Sequence, residues 1–148
     1  MSDSEPDYLT QGERLCEGDR VARQLGVEIV ALRPGRAVLR MTVREGMLNF
    51  WNVCHGGTIA TLADIACAFA CNAGNELTVG SSMAIDYLAP ARDGDELTAE
   101  AVEVSRAGRN AYYDAKVTAQ DGTTVALLRA RCRRIPNTPT VPPSPNAG

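Results

Sequence analysis

One stretch decides the fold of this chain: Gly56-Gly57-Thr58-Ile59-Ala60-Thr61-Leu62-Ala63-Asp64-Ile65-Ala66-Cys67-Ala68-Phe69-Ala70-Cys71-Asn72-Ala73-Gly74. A pair of glycines opens it, and Asn72-Ala73-Gly74 supplies stop signals, so the stretch predicts one helix. Its only ionisable side chain apart from two thiols is Asp64. A helix without a solvated face must be covered on all sides, by a sheet and, in a chain this short, by a second subunit.

The segments around this helix predict an α+β fold. A helix over 7–26, breaking at Gly18, precedes a hairpin whose strands, 27–32 and 37–43, meet at Pro34-Gly35. After the central helix the period of the hydrophobic pattern changes to two residues. This alternation predicts strands over 81–88, 96–105, 111–119 and 124–135. In the predicted strand 96–105, the alternation of apolar and polar residues changes phase near Ala101-Val102, which indicates a bulge. The predicted organisation is an N-terminal helical segment (1–26), one domain (27–135) and a disordered Pro-rich tail (136–148).

Composition excludes several classes of protein. The 148 residues are 45% hydrophobic and 22% charged, which argues against disorder of the whole chain, and the formal charge of −3 argues against nucleic-acid binding. The acidic N-terminus lacks a secretory signal and no stretch is long enough to span a membrane, so we expect a cytoplasmic protein. Five cysteines without a CxxC pair indicate reduced, mostly buried thiols and no zinc site.

The basic residues concentrate in the last third of the chain. Residues 1–105 carry a net charge of −8, whereas residues 106–148 carry +5. Arg129, Arg131 and Arg133 alternate with Ala130 and Cys132, so on a strand the arginines project from one face. Such a stripe suits a phosphorylated ligand, and the alternative is the solvated outer face of an antiparallel sheet.

Asp64 and the start of the central helix are candidates for a catalytic site. A buried carboxylate is costly without a partner, so Asp64 is either a general base at a subunit boundary or a structural residue that reaches solvent or a backbone N–H. Gly56 and Gly57 leave bare N–H groups at a helix start, which suits a developing negative charge. His55, the sole histidine, is at least as suited to packing or capping as to catalysis.

Several separated motifs resemble one known family. They are Met47-Leu48-Asn49, Cys54-His55-Gly56-Gly57, Leu62-Ala63-Asp64, Ala70-Cys71-Asn72, Ile85-Asp86-Tyr87-Leu88-Ala89-Pro90, Gly94-Asp95-Glu96-Leu97, Gly108-Arg109, Tyr113-Asp114 and Val125-Ala126-Leu127-Leu128-Arg129. In this order and spacing, over about residues 10–135, they resemble hotdog-fold acyl-CoA thioesterases of the phenylacetic-acid-degradation type. The chain departs from the pattern at Phe50-Trp51-Asn52, where relatives often have a glycine or histidine.

The resemblance implies a long central helix wrapped by a curved antiparallel sheet, with dimers joined through their sheets and commonly tetramers. It also implies roles for individual residues. Asp64 matches the catalytic carboxylate, Gly56 the backbone donor to the thioester carbonyl, Asn49 the residue that orients water, and Ser82 an assisting hydroxyl. We expect the CoA contacts among Gly57, Gly108 and the arginines Arg106, Arg109, Arg131 and Arg133.

The expected reaction is the hydrolysis of an acyl-CoA thioester, without a metal or cofactor. Asp64 either activates water or attacks the thioester itself to give an anhydride, and the sequence leaves both routes open. The family favours phenylacetyl-CoA or a ring-hydroxylated relative, with medium-chain acyl-CoA as the alternative. A hotdog hydratase or dehydratase, in which only His55 would serve as the histidine, and a non-catalytic acyl-CoA binder are the other readings.

Overall fold

A computed structural model describes residues 7–140 of the chain, and its elements follow the predicted order. The helices are α1 (Tyr8–Gly18), α2 (Arg20–Leu25) and α3 (Gly56–Asn72). The strands are β1 (Glu28–Arg33), β2 (Arg36–Thr42), β3 (Thr78–Tyr87), β4 (Glu96–Ala107), β5 (Asn110–Thr118) and β6 (Thr124–Arg134). A single 3₁₀ turn over Glu45–Met47 leads into the loop before α3.

The six strands form one antiparallel sheet in the order β1-β2-β4-β5-β6-β3. Successive side chains of each strand point to opposite faces of the sheet, and every second one faces inward. In β5 the inward side chains are buried and the residues between them are more exposed: Ala111, Tyr113, Ala115 and Val117 are the buried ones. These inner side chains pack around α3, which contacts every strand. The prediction of a long helix wrapped by a curved antiparallel sheet is confirmed.

One stripe of α3 stays open to solvent, although the sequence predicted a helix buried on every side. Leu62, Ala63 and Ala66 are fully buried against the sheet. The open or half-open positions recur every three or four residues and therefore share one face of the helix: Gly57, Thr61, Asp64, Ala68 and Cys71. The sheet of one chain thus covers only part of the helix.

Strand β3 is the edge of the sheet that lies next to this open stripe. Its partner is β6 on one side, and the register of residues 78–87 leaves the other side unpaired within the described part of the chain. Most of its ten residues are exposed, including Val79 and Met83 at 40% and 51%. An exposed edge strand that carries apolar side chains is a template for pairing with another chain.

Three details differ from the sequence-based expectations. The irregularity in β4 falls between Glu103 and Ser105, two residues beyond the expected bulge, and β3 begins three residues earlier than expected. The first five residues of the expected tail pack on the domain, since the N–H of Leu77 donates to the Thr138 carbonyl and Thr140 is buried. Residues 141–148 lie outside the described residues. None of the helices within 7–140 has the length and hydropathy to cross a membrane.

Candidate active site

The first turn of α3 is capped by the residue before it. His55 is the N-cap, and its Nδ1 accepts a hydrogen bond of 3.1 Å from the N–H of Gly57. Because Nδ1 is the acceptor, the proton of a neutral His55 lies on Nε2. Gly57 is thereby used in the cap, whereas the N–H of Gly56 meets no acceptor among residues 7–140. The structure therefore leaves Gly56 as the free donor at this helix start.

Asn49 organises the loop that precedes this cap. Its Oδ1 accepts from the N–H groups of Trp51 at 2.9 Å and Val53 at 3.4 Å, while its own N–H donates to the Val53 carbonyl at 2.8 Å. Asn52 adopts a φ of 58° inside the loop, a left-handed conformation that asparagine tolerates. With Oδ1 engaged, the Nδ2 amide is the group that Asn49 has left to offer a ligand.

Asp64 lies in a cleft of about 420 Å³ between α3 and the β3 edge. The walls of the cleft are Ala68, Thr78, Val79, Gly80, Ser81, Ser82, Met83 and Ala130. Within residues 7–140, no basic side chain forms an ion pair with Asp64. Desolvation by these walls raises the pKa of Asp64, and the carboxylate of Asp19 raises it further. The carboxyl side chain itself remains accessible from the cleft, as a base that meets substrate must be.

Gly56 and Asp64 do not meet within one chain. They are eight residues apart on the same straight helix, which corresponds to about 12 Å along its axis. Asn49 and His55 lie at the Gly56 end, and Ser82 lines the Asp64 cleft. One chain therefore holds two halves of the expected site at separate places.

Gly80 faces Asp64 from β3, and Ser82 lines the same cleft. A methyl group placed on Gly80 would lie 4.0 Å from Oδ1 of Asp64. Ser82 pairs with Arg131, whose side chain is exposed on the outer face of the sheet. The strand has an irregularity between Gly80 and Ser82, which changes the phase of its side chains.

The candidate CoA-binding arginines are exposed and lie on or near the outer face of the sheet. Arg106 is held by Glu103 at 2.9 Å, and Nε of Arg131 donates to Oγ of Ser81 at 3.1 Å. Arg109 follows Gly108, which has a φ of 60° in the turn between β4 and β5. Arg133 pairs with Asn110 beside this turn. The structure gathers Arg109 and Arg133 at one end of the sheet, but it brings none of the four arginines into the cleft at Asp64.

Two residues near the site were not found from the sequence. The hydroxyl of Tyr87, at the end of β3, donates to the Gly56 carbonyl at 2.7 Å. The carboxylate of Asp19, the N-cap of α2, raises the pKa of Asp64. Aspartate is a common N-cap residue, so the sequence identifies Asp19 as a helix cap. No feature of the neighbouring sequence shows that Tyr87 or Asp19 acts near the site. Among residues 7–140, no group of three or more metal-ligating side chains is placed to hold a metal ion.

Comparisons with known proteins identify the family of this chain. A model of the thioesterase superfamily matches residues 52–126. The chain is 41% identical over 126 residues to the acyl-coenzyme A thioesterase PaaI of Escherichia coli, covering 85% of this chain and 90% of that protein.

Solved structures give the same family. The structure of E. coli PaaI, from the phenylacetic acid degradation operon, aligns with a TM-score of 0.85 at 38% identity, over 88% of this chain and 95% of that one. A structure of the phenylacetic acid degradation protein PaaI from Thermus thermophilus aligns with a TM-score of 0.75 at 36% identity, over 79% and 100%. The expected resemblance and fold are confirmed, and the chain belongs to the thioesterase superfamily, with the hotdog fold and the thioester-hydrolase class of its relative PaaI.

Proposed function

We propose that this protein hydrolyses acyl-CoA thioesters, with Asp64 as the general base and the Gly56 N–H as the donor to the thioester carbonyl. The observation that carries the proposal is that α3 holds two groups without a partner within residues 7–140. Asp64 is an accessible carboxylate without a basic partner among residues 7–140, and Gly56 has a free N–H at a helix start, where negative charge is favoured.

The proposed reaction balances with water as the only co-substrate. Asp64 takes a proton from water as the water oxygen bonds to the thioester carbon, and the carbonyl oxygen becomes an oxyanion that the Gly56 N–H stabilises. The tetrahedral intermediate collapses, the C–S bond breaks, and the proton passes from Asp64 to the leaving CoA thiolate. Direct attack by the Asp64 carboxylate would give an acyl-enzyme anhydride, which water would then hydrolyse.

The supporting residues are proposed from their positions. Asn49 offers its free Nδ2 amide to the water, because its Oδ1 is already used by the loop. His55 holds Gly57 in place through Nδ1 and so shapes the helix start rather than transferring a proton. Ser82 forms part of the cleft wall and is the proposed assisting hydroxyl.

A second copy of the chain is part of this proposal. The separation of about 12 Å between Gly56 and Asp64 is too great for both to reach one carbonyl carbon, so the site needs Gly56 from one copy and Asp64 from another. The open stripe of α3 and the unpaired edge of β3 lie side by side and offer the surface for that copy. We propose a homodimer joined at β3, with two dimers assembling into a tetramer.

The acyl group is proposed to be aryl-acetyl, such as phenylacetyl or a hydroxylated phenylacetyl group. Two similar proteins are named for phenylacetic acid degradation, which supports this class. Phe50 and Trp51 in the loop before α3 are 90% and 74% exposed, with ring centroids 6.0 Å apart. Such rings suit contact with an aromatic acyl group at the shared site. Medium-chain acyl-CoA remains the second class to test.

For the CoA moiety, the exposed guanidinium groups of Arg106, Arg109, Arg131 and Arg133 are the proposed phosphate contacts, together with the Gly108 turn. These arginines face away from Asp64 in their own chain. The proposal therefore places the nucleotide end of the substrate outside the cleft. The cytoplasmic location expected from the N-terminal sequence stays a prediction.

The test is to incubate the protein with phenylacetyl-CoA, 4-hydroxyphenylacetyl-CoA, octanoyl-CoA and crotonyl-CoA in the presence of a thiol reagent. The proposal expects release of free CoA, fastest from the aryl-acetyl esters by kcat/KM. Higher kcat/KM on octanoyl-CoA would refute the aryl-acetyl assignment. Hydration of crotonyl-CoA without thiol release would indicate a hydratase, and binding of CoA esters without turnover would indicate a binding protein.

A further inference from the structure

The Gly56-Gly57 peptide group is held at both of its polar atoms. Its carbonyl accepts a hydrogen bond of 2.7 Å from the Tyr87 hydroxyl, and its N–H donates to Nδ1 of His55 at 3.1 Å. The peptide group before His55 is anchored as well, because the His55 N–H donates to the Met47 carbonyl at 2.8 Å. The free N–H of Gly56 belongs to the peptide group between these two anchors, whose own carbonyl, that of His55, accepts from the N–H groups of Thr58 at 2.9 Å and Ile59 at 3.2 Å. Its direction therefore depends on these helix contacts and on the anchors at either side.

The ring of Tyr87 also fills the space where a side chain at position 56 would stand. A methyl group on Gly56 would lie 3.0 Å from Cζ and 3.2 Å from Oη of Tyr87, closer than side chains normally approach. Gly56 does not have a positive φ, so its backbone conformation does not by itself require glycine. Close approach of the Tyr87 ring is therefore the physical reason for glycine at this position.

Tyr87 contributes little to the core. It is 50% exposed at the last position of β3, and the following residue, Leu88, is 55% exposed. Its hydroxyl reaches across to α3, 31 residues away in sequence. The contact thus links the strand that carries the cleft wall to the start of the helix, rather than adding buried apolar area.

We propose that Tyr87 is a positioning residue that aims the Gly56 N–H at the developing oxyanion. This inference rests on the proposed thioester hydrolysis and deepens it. A preorganised donor stabilises the transition state because it does not have to reorient as charge develops. Without the hydroxyl, the start of α3 loses its link to β3, and the Gly56 N–H, which then depends on contacts within the helix start alone, is aimed less firmly. Binding of the CoA ester does not depend on this alignment.

The decisive variant is Tyr87→Phe, which keeps the ring against Gly56 and removes only the hydroxyl. Removing an entire oxyanion donor costs about 10² to 10³ in kcat, so loosening one should cost about tenfold, with KM within about twofold. Tyr8→Phe is the matched control, because the Tyr8 hydroxyl makes no hydrogen bond among residues 7–140 and lies on α1. Its kcat should match that of the parent.

A second measurement keeps this inference separate from the proposed activity. Amide hydrogen exchange of Gly57, whose N–H belongs to the peptide group that Tyr87 contacts, reports the anchoring, and Tyr87→Phe should accelerate it about tenfold with unchanged exchange in β5. If the parent releases no CoA, the proposed function fails, while the exchange result still tests the anchoring. Unchanged exchange, or an active Tyr87→Phe enzyme with kcat within twofold of the parent or with only KM raised, would overturn the assignment of Tyr87.

Discussion

Replacing Asp64 with asparagine separates the proposed base from the packing around it. Asparagine has nearly the size of aspartate, and the side chain stands in an open cleft where no basic residue within 7–140 pairs with it. The substitution should therefore leave the fold and the assembly intact. General-base catalysis contributes about 10² to 10⁴ in rate, so kcat for the best thioester should fall by that factor. This corresponds to about 3 to 5 kcal/mol of transition-state stabilisation.

Asp64→Asn also has an expected effect on stability, with a sign fixed by the raised pKa of Asp64. A carboxyl group whose pKa is higher in the folded state than in the unfolded state destabilises the fold when it is ionised. The variant should thus have a higher Tm than the parent at neutral pH. The difference should disappear as the pH falls below the unfolded-state pKa, where both forms are uncharged.

The assay combines steady-state release of CoA, detected with a thiol reagent, with thermal unfolding across pH and with light scattering. Equal mass of parent and variant shows that the assembly is preserved. A correctly assembled Asp64→Asn protein whose kcat lies within a few-fold of the parent would refute the role of Asp64 as base. A variant that is less stable than the parent at neutral pH would contradict the electrostatic account of the cleft.

Three further predictions test other parts of the site. Asn49→Ala should lower kcat about tenfold, which is less than the loss in Asp64→Asn, because it removes the group that positions the water and not the proton acceptor. An equal loss in the same CoA-release assay would contradict this ranking. The parent's kcat should fall on the acid side through a pKa above the usual aspartate range, since burial and Asp19 favour the protonated carboxyl, and a profile flat through that region would oppose this assignment. Replacing Arg109 and Arg133 together with alanine should raise KM for CoA esters and weaken its dependence on salt, with kcat little changed; an unchanged KM would place the phosphates elsewhere.

The elements of the fold were predictable because their patterns are local. The run from Gly56 to Gly74 lacks a polar face, and β5 alternates between buried and more exposed positions, so the period of the hydrophobic pattern separates helix from strand. Asp64 stood out for the same reason, as the only carboxylate in an apolar helix. A lone charge in such a helix is visible in the sequence without knowledge of what surrounds it.

The parts that could not be predicted depend on contacts between distant segments. The hydrogen bond from Tyr87 to Gly56 joins residues 31 positions apart, and an alternating strand gives no sign of which side chain meets a helix end. Ser82 was proposed from its position in the sequence and lines the Asp64 cleft, but the irregularity after Gly80, which changes the side-chain phase of β3, was not visible in the sequence. The role of His55 followed only from which ring nitrogen meets Gly57.

The burial of α3 shows a related limit of sequence reasoning. The apolar pattern predicted cover on every side of the helix, but the sheet of one chain leaves one side open, and the pattern did not say which. The stripe through Asp64 is that side, and the unpaired strand β3 borders it. Sequence patterns therefore indicated a missing partner, and the fold located the surface on which the partner is proposed to pack.

Complementation between two inactive variants tests the central claim most directly. The claim is that the thioester carbonyl lies between Gly56 of one copy and Asp64 of another. Asp64→Asn and Gly56→Ala subunits carrying different tags are co-expressed, and the mixed assembly is purified through both tags alongside the two single variants. The added methyl group in Gly56→Ala would stand 3.0 Å from Cζ of Tyr87, so the ring or the helix start has to shift, and we expect this shift to change the aim of the Gly56 N–H.

In a mixed dimer, one of the two sites combines an intact Gly56 with an intact Asp64, and the other carries both substitutions. Random co-assembly without purification should therefore restore about a quarter of the parent's CoA release, and the doubly purified tetramer about 30%, because a tetramer of two unmixed dimers can also carry both tags. If the mixed assembly is no more active than the mean of the two single variants, the shared site is contradicted. Gly56 and Asp64 would then not combine across two copies.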